Sequence, residues 1–342
     1  MLHARQLWQK SAQAALRLHP RALRVFAGPP RHSDGNQLDL QTQVMLRCLE
    51  LGRVPPFDQL GVRRARRWMD SMAPLLDYPP DPDVRWHDRL LNGLRLRLYR
   101  PGRDSEPQPG VLYFHGGGFM LGSLQSHHGW CSRLAAQTRC TVIAVDYRLA
   151  PEYRFPAAVD DAAAAFRSVV AHADELGIRA DRVAIAGDSA GGNLSTVVSL
   201  LTREERVRPA LQVLIYPALD LTCSFPSHTR FATGYFLTSS MIRWFLAHYL
   251  RAPQDARDVR ASPWFADDLR RLPPALVLGA GFDPLHDEVA AWAKRLQQAD
   301  NQVQLLCCDG LIHGFATMGA GIRAAGEVLD RAAAAIARAL HG

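Results

Sequence analysis

From about residue 94 to the C-terminus, short apolar runs recur with longer mixed stretches between them. The runs fall at 111–114, 141–145, 183–186, 211–216, 275–280 and 303–308. Most show no polar face, the pattern of strands covered on both sides. Residues 193–201 and 324–340 instead read as helices. The alternation predicts an α/β fold with a mostly parallel central sheet and helices on both faces. Ahead of it, Leu94, Leu96 and Leu98 alternate with arginines, as in a half-exposed strand.

The first 80 residues have a different rhythm. Leu40, Val44 and Cys48, with Met45 and Leu49 beside them, form a stripe at helical spacing, and Asp39 is placed to cap it. Tyr78-Pro79-Pro80-Asp81-Pro82 marks a boundary. The chain therefore divides into a helical accessory region, 1–80, and an α/β body, 81–342. Within the body, 222–250 forms a long insertion after the 211–216 run. Its aromatics, Phe231, Tyr235, Phe236, Trp244 and Phe245, suit a pocket wall and a packed core equally.

The strand–helix junctions carry the chemistry. Gly187-Asp188-Ser189-Ala190-Gly191 joins the 183–186 run to the helix at 193–201. A serine at a strand-to-helix turn with a glycine two residues away on each side has the form of a nucleophile elbow. The same five residues could instead form a helix N-terminus capped by Asp188 or Ser189. A second junction favours the first reading. The 111–114 run leads into His115-Gly116-Gly117-Gly118-Phe119. Bare backbone amides after a strand can receive an oxyanion, and Gly116, Gly117 and Ala190 are the expected donors. His115 is expected to hold the loop through side-chain hydrogen bonds, with Gly118 and Asp188 in support. A phosphate-binding loop is disfavoured, because neither of its glycine patterns occurs.

An acid and a base are then expected downstream, in that order. Asp283 is the first carboxylate off the 275–280 run. Asp287 and Glu288 stand at a helix start, where the helix dipole accounts for them. His313 follows the 303–308 run in a loop, whereas His286 is too near Asp283 along the chain and His341 is terminal. Ser189, Asp283 and His313 thus make a candidate nucleophile, acid and base. His127 and His128 have two readings, pocket lining and exposed loop histidines, of which the second is preferred; Trp86, Trp130 and Trp244 read as packing residues.

With these residues in place, the chain resembles the bacterial hormone-sensitive-lipase-like esterases of the α/β-hydrolase superfamily. The matching segments are FHGGGF from Phe114, DYRLAPE from Asp146, FPAA from Phe155, GDSAGGN from Gly187, DPLHDE from Asp283 and HGF from His313. They cover the chain from about residue 94 onward. His286 stands where the family often has arginine. The resemblance implies an α/β-hydrolase fold with N-terminal helices capping the site. It also implies hydrolysis of short- to medium-chain carboxylic esters through an acyl-enzyme on Ser189, with no cofactor. It assigns Asp146, Arg148 and Glu152 to polar contacts that hold their loop near the site. The resemblance leaves the oligomeric state open: relatives often form homodimers through the last strand and helix, but nothing in residues 303–340 demands one. Amidase or lipid-surface lipase chemistry on the same triad, or a non-catalytic small-molecule-binding role, are the alternatives.

Composition adds bounds. With 48% hydrophobic and 21% charged residues over 342 positions, the chain suits a globular enzyme with no membrane span. The six cysteines lack metal-ligand spacing and read as buried free thiols of a reducing, cytoplasmic setting, Cys307 and Cys308 facing opposite ways. The basic start lacks the apolar core of a signal peptide. The net charge of +7 is concentrated early: residues 1–100 hold 17 basic and 9 acidic side chains. Its densest point, Arg63-Arg64-Ala65-Arg66-Arg67, reads as a solvated helix face. Weak attraction to an anionic membrane surface is a lesser option, and no nucleic-acid partner is expected.

Overall fold

The structure, a computed structural model, describes residues 13–102 and 106–342. Arg5 and Lys10 of the basic start lie outside them. A small hairpin, β1 (His32–Ser33) and β2 (Asn36–Gln37), precedes the main sheet. The sheet contains β3 (Val84–Leu91), β4 (Leu94–Pro101), β5 (Gln108–Phe114), β6 (Thr141–Asp146), β7 (Ile178–Asp188), β8 (Leu211–Ile215), β9 (Ala275–Phe282) and β10 (Val303–Ile312). Their order is β10-β9-β8-β7-β5-β6-β4-β3. Pairing is parallel from β10 through β6 and antiparallel at β6–β4 and β4–β3.

From residue 20 onward the α-helices are α1 (Pro20–Ala27), α2 (Leu40–Leu51), α3 (Val62–Leu76), α4 (His128–Thr138), α5 (Ala157–Ala171), α6 (Ala190–Leu201), α7 (Ser227–Arg230), α8 (Ser239–Tyr249), α9 (His286–Gln298) and α10 (Arg323–His341). Strand β5 shows why its run has no polar face. Val111 and Tyr113 pack with Trp130 and Leu134 of α4 and Leu329 and Ile336 of α10. Leu112 and Phe114 pack with Phe166 of α5 and Leu194 and Val197 of α6. Two-residue alternation thus serves two buried faces.

Asp39 caps α2 by accepting the Thr42 N–H at 2.8 Å. Asp77, past the end of α3, is buried and accepts the Trp130 N–H at 3.0 Å, which fastens the accessory region to α4. Arg66 corrects the expectation of a solvated basic face. It donates to the carbonyls of Met120 at 2.9 Å and Ala150 at 2.8 Å and pairs with Glu152 at 2.7 Å, while Arg63, Arg64 and Arg67 are exposed. Arg148 is bound by Asp161, its Nη2 lying 2.7 Å from Oδ1. The cysteines also depart from expectation: only Cys131, Cys140 and Cys308 are buried, Cys48 and Cys307 are exposed and Cys223 is half-buried. Cys307 and Cys308 do take opposite faces. Among the described residues no helix is long and apolar enough to cross a membrane.

Candidate active site

The carboxyl ends of the parallel strands open into one cavity of about 570 Å³. Strand β7 runs straight into α6, with Ser189 between them at φ 55 and ψ −117. That conformation is costly for a residue with a Cβ and holds only where the surroundings impose it. Here the Ser189 N–H donates to Ile215 at 2.9 Å, and its carbonyl accepts from Asn193 at 3.0 Å and Ala218 at 3.2 Å. A Cβ at Gly191 would overlap the Phe114 carbonyl, so the crossing of elbow and β5 requires glycine there.

Asp283 leaves the end of β9 and His313 the end of β10. His313 Nδ1 lies 2.7 Å from Asp283 Oδ2, and His313 Nε2 lies 2.8 Å from Ser189 Oγ. The other Asp283 oxygen accepts the Leu285 N–H at 2.9 Å, which fixes the carboxylate. The structure thus brings all three residues together across 124 positions of sequence. His286 turns away, donating Nδ1–H to the Ala280 carbonyl.

The glycine loop corrects one expectation. The Gly116 N–H donates to Asp188 Oδ1 at 2.9 Å, so it is spent inside the protein. The amides of Gly117, Gly118 and Ala190 have no hydrogen-bond partner among the described residues, and all three residues line the cavity. Gly117 sits at φ 123, and a Cβ there would overlap the Leu121 carbonyl. His115 holds the loop as expected, its Nδ1 2.9 Å from the Gly116 carbonyl and its ring stacked on Tyr147. Burial drives its pKa down to about 4, so it is neutral, with Nδ1 donating.

Asp188 is the hub of this loop. It also accepts the Tyr113 hydroxyl at 2.8 Å and lies 3.2 Å from His127 Nε2. Burial disfavours charge on both partners, but their mutual attraction outweighs it: the Asp188 pKa falls and the His127 pKa rises. His127 and His128 are both buried, against the expectation of exposed loop residues. Nothing in their neighbourhood signals this, because their partners, Asp188 and Tyr99, lie 61 and 29 residues away. Glu288, which the helix dipole was enough to account for in the sequence, has a second role in the fold. It is fully buried and lies 3.0 Å from His228 Nε2.

The cavity walls come from the two segments of uncertain role. The accessory region contributes Leu16, Val44, Met45, Trp68, Met72 and Leu76, and the insertion contributes Phe236, Met241 and Phe245. The insertion's aromatics divide: Phe231 and Tyr235 pack against Phe282 of β9 instead. No cluster of His, Cys, Asp and Glu able to hold a metal occurs among the described residues.

The chain is similar to known proteins. A family model described as alpha/beta hydrolase fold matches residues 111–317. An ethyl acetate hydrolase of Pseudomonas putida is 42% identical over 81% of this chain and 90% of its own length. A carboxylic ester hydrolase of Mycobacterium tuberculosis is 39% identical over 82% of this chain and 78% of its own. Among solved structures, an ester hydrolase from the metagenome of Lake Arreo matches with a TM-score of 0.83 at 38% identity, covering 88% of this chain and 98% of that one.

Proposed function

The chain belongs to the α/β-hydrolase fold family as a hormone-sensitive-lipase-like carboxylesterase, and from that premise we propose how its residues divide the work. Ser189 is the nucleophile, His313 the base and Asp283 the group that orients His313. His313 Nε2 takes the hydroxyl proton as Ser189 Oγ attacks the ester carbonyl. Asp283 keeps the proton on Nδ1 and stabilises the imidazolium. The new oxyanion is received by the N–H groups of Gly117, Gly118 and Ala190. His313 returns its proton to the departing alcohol, leaving an acyl group on Ser189. A water then attacks that acyl carbon, giving its proton to His313, and the acid leaves as Oγ is reprotonated.

The observation that carries this reading is the 2.8 Å and 2.7 Å relay from Ser189 through His313 to Asp283 at the floor of an apolar cavity. Such walls suit short- to medium-chain esters, which offer apolar surface and no charge. The described part of the accessory region, residues 13–80, and the 222–250 insertion act together as the cap. The test is hydrolysis of p-nitrophenyl esters from acetate to laurate by the native chain and Ser189→Ala. Turnover that peaks at the shorter esters and disappears in the variant is expected. Undiminished turnover by Ser189→Ala would overturn the assignment.

A further inference from the structure

The glycine loop is held from two sides, and one of them is the accessory region. A peptide is planar and trans, so its carbonyl and its N–H point in opposite directions, and fixing one sets the direction of the other. The Gly117 N–H shares its peptide with the Gly116 carbonyl, which His115 Nδ1 holds at 2.9 Å. The Gly118 N–H shares its peptide with the Gly117 carbonyl. That carbonyl accepts the N–H groups of Met120 at 3.1 Å and Leu121 at 2.8 Å. The direction of the Gly118 N–H therefore depends on where residues 120 and 121 stand. The turn that brings them there puts Phe119 at φ 61. A phenylalanine keeps that conformation only where its surroundings over-determine it.

Arg66 of α3 is part of those surroundings. Its Nε donates to the Met120 carbonyl at 2.9 Å and its Nη2 to the Ala150 carbonyl at 2.8 Å. The Ala150 N–H in turn donates to the Phe119 carbonyl at 2.9 Å. Both Glu152 oxygens meet the same guanidinium, one 2.9 Å from Nη1 and the other 2.7 Å from Nη2. The Glu152 side chain is 53% exposed. An ion pair so open to water adds little stability, but a two-pronged contact fixes the plane of the fork. One turn along α3, Asp70 Oδ1 accepts the Ser123 hydroxyl at 2.6 Å. Helix α3 thus turns Trp68, Met69 and Met72 to the cavity and grips the loop with a different face.

We propose that Arg66 is a positioning residue for ester hydrolysis: its guanidinium bridges the Met120 and Ala150 carbonyls and so directs the Gly118 N–H toward the oxyanion. The proposal rests on the reading of Gly118 as an oxyanion donor. Arg66 acts only through the loop, so its loss weakens binding of the charged transition state and leaves binding of an uncharged ligand in the cavity as it was. It also slows short and long esters alike, because the loop serves the carbonyl that every ester carries. A lysine at this position keeps a cation opposite Glu152. Its single ammonium lacks the planar fork that spans both carbonyls.

The test compares the full native chain with Arg66→Met and Arg66→Lys. It reads kcat/KM for p-nitrophenyl acetate and octanoate, and inhibition by 1,1,1-trifluoro-2-decanone and by 2-decanone. Ser189 Oγ adds to the carbonyl carbon of the fluorinated ketone and passes its proton to His313, which leaves an oxyanion facing the loop. The plain ketone fills the cavity without that step. Both variants are expected to lower kcat/KM about tenfold for both esters, short of the 100- to 1,000-fold that outright loss of a donor costs. The fluorinated ketone is expected to weaken by the same factor of about ten, and 2-decanone by less than about twofold. If Arg66→Met fails to fold, Arg66→Lys decides alone. Undiminished binding of the fluorinated ketone by Arg66→Lys, or equal weakening of both ketones, would overturn the proposal. A native chain that hydrolyses neither ester and binds both ketones equally would remove the oxyanion reading, and the proposal with it.

Discussion

The floor and the roof of the cavity are built on opposite principles. On the floor, polar groups are assigned one by one: Asp188 alone receives Tyr113, Gly116 and His127, and Ser189 is held in a backbone conformation it would otherwise avoid. The roof is made of Leu, Met, Phe and Trp side chains from α2, α3 and α8, which are interchangeable in kind if not in shape. Floor geometry decides whether a proton moves at all. Roof geometry decides only which acyl chain fits. Damage to the floor should therefore appear in turnover for every ester, and damage to the roof in the ranking among esters.

The largest expected effect lies at the centre of the floor. Ser189→Ala should lower kcat by roughly 10⁶-fold for all chain lengths alike, by analogy with loss of a triad nucleophile. Steady-state rates across the p-nitrophenyl series would check it, and a loss that varied with chain length would break the division between floor and roof. Just outside the triad, Gly117→Ala should cost about 100- to 1,000-fold in kcat with little change in KM. Its Cβ would meet the Leu121 carbonyl and displace an amide proposed to receive the oxyanion.

His127→Ala probes the same floor through stability. It leaves the buried Asp188 carboxylate without its cation, which should cost about 3–5 kcal/mol in denaturant unfolding. The difference has a direction in pH. The His127 pKa is raised in the folded chain, so its contribution is complete below the unfolded value near 6.5 and is lost as pH rises through the folded value. The gap between native chain and variant should narrow on going alkaline, and a gap that widened would show that His127 is neutral in the fold.

How much of this was legible in the sequence follows the same divide. Floor residues sit at strand ends inside local patterns: the glycines around Ser189, Asp283 at the end of β9, and His313 after β10. Such patterns are short because a tight turn constrains only its immediate neighbours. The spent amide of Gly116 escaped because its acceptor lies 72 residues away, and the burial of His127 escaped for the same reason. The helical stripe of α2 was visible by periodicity, but which of its residues face the cavity depends on how α2 and α3 dock. That docking is set partly by Arg66, which sequence placed in a solvated basic face and the fold turns onto Met120, Ala150 and Glu152.

Phe245 gives the smallest effect and the sharpest test of the comparison. Its ring lies over Gly118, so close that a Cβ on that glycine would overlap it, and it belongs to the roof although it overhangs the floor. Phe245→Ala removes a wall without touching any hydrogen bond of the triad or of the glycine loop. One methylene in an apolar pocket changes discrimination by about 10- to 200-fold. Opening this wall should therefore raise kcat/KM for the longest esters relative to acetate by about tenfold, while kcat for acetate stays within a few-fold of the native value. If acetate turnover instead fell by the 100-fold or more expected of an oxyanion-loop change, the ring would be bracing Gly118. Roof and floor would then be one mechanical unit, and acyl preference could not be altered without cost to the chemistry.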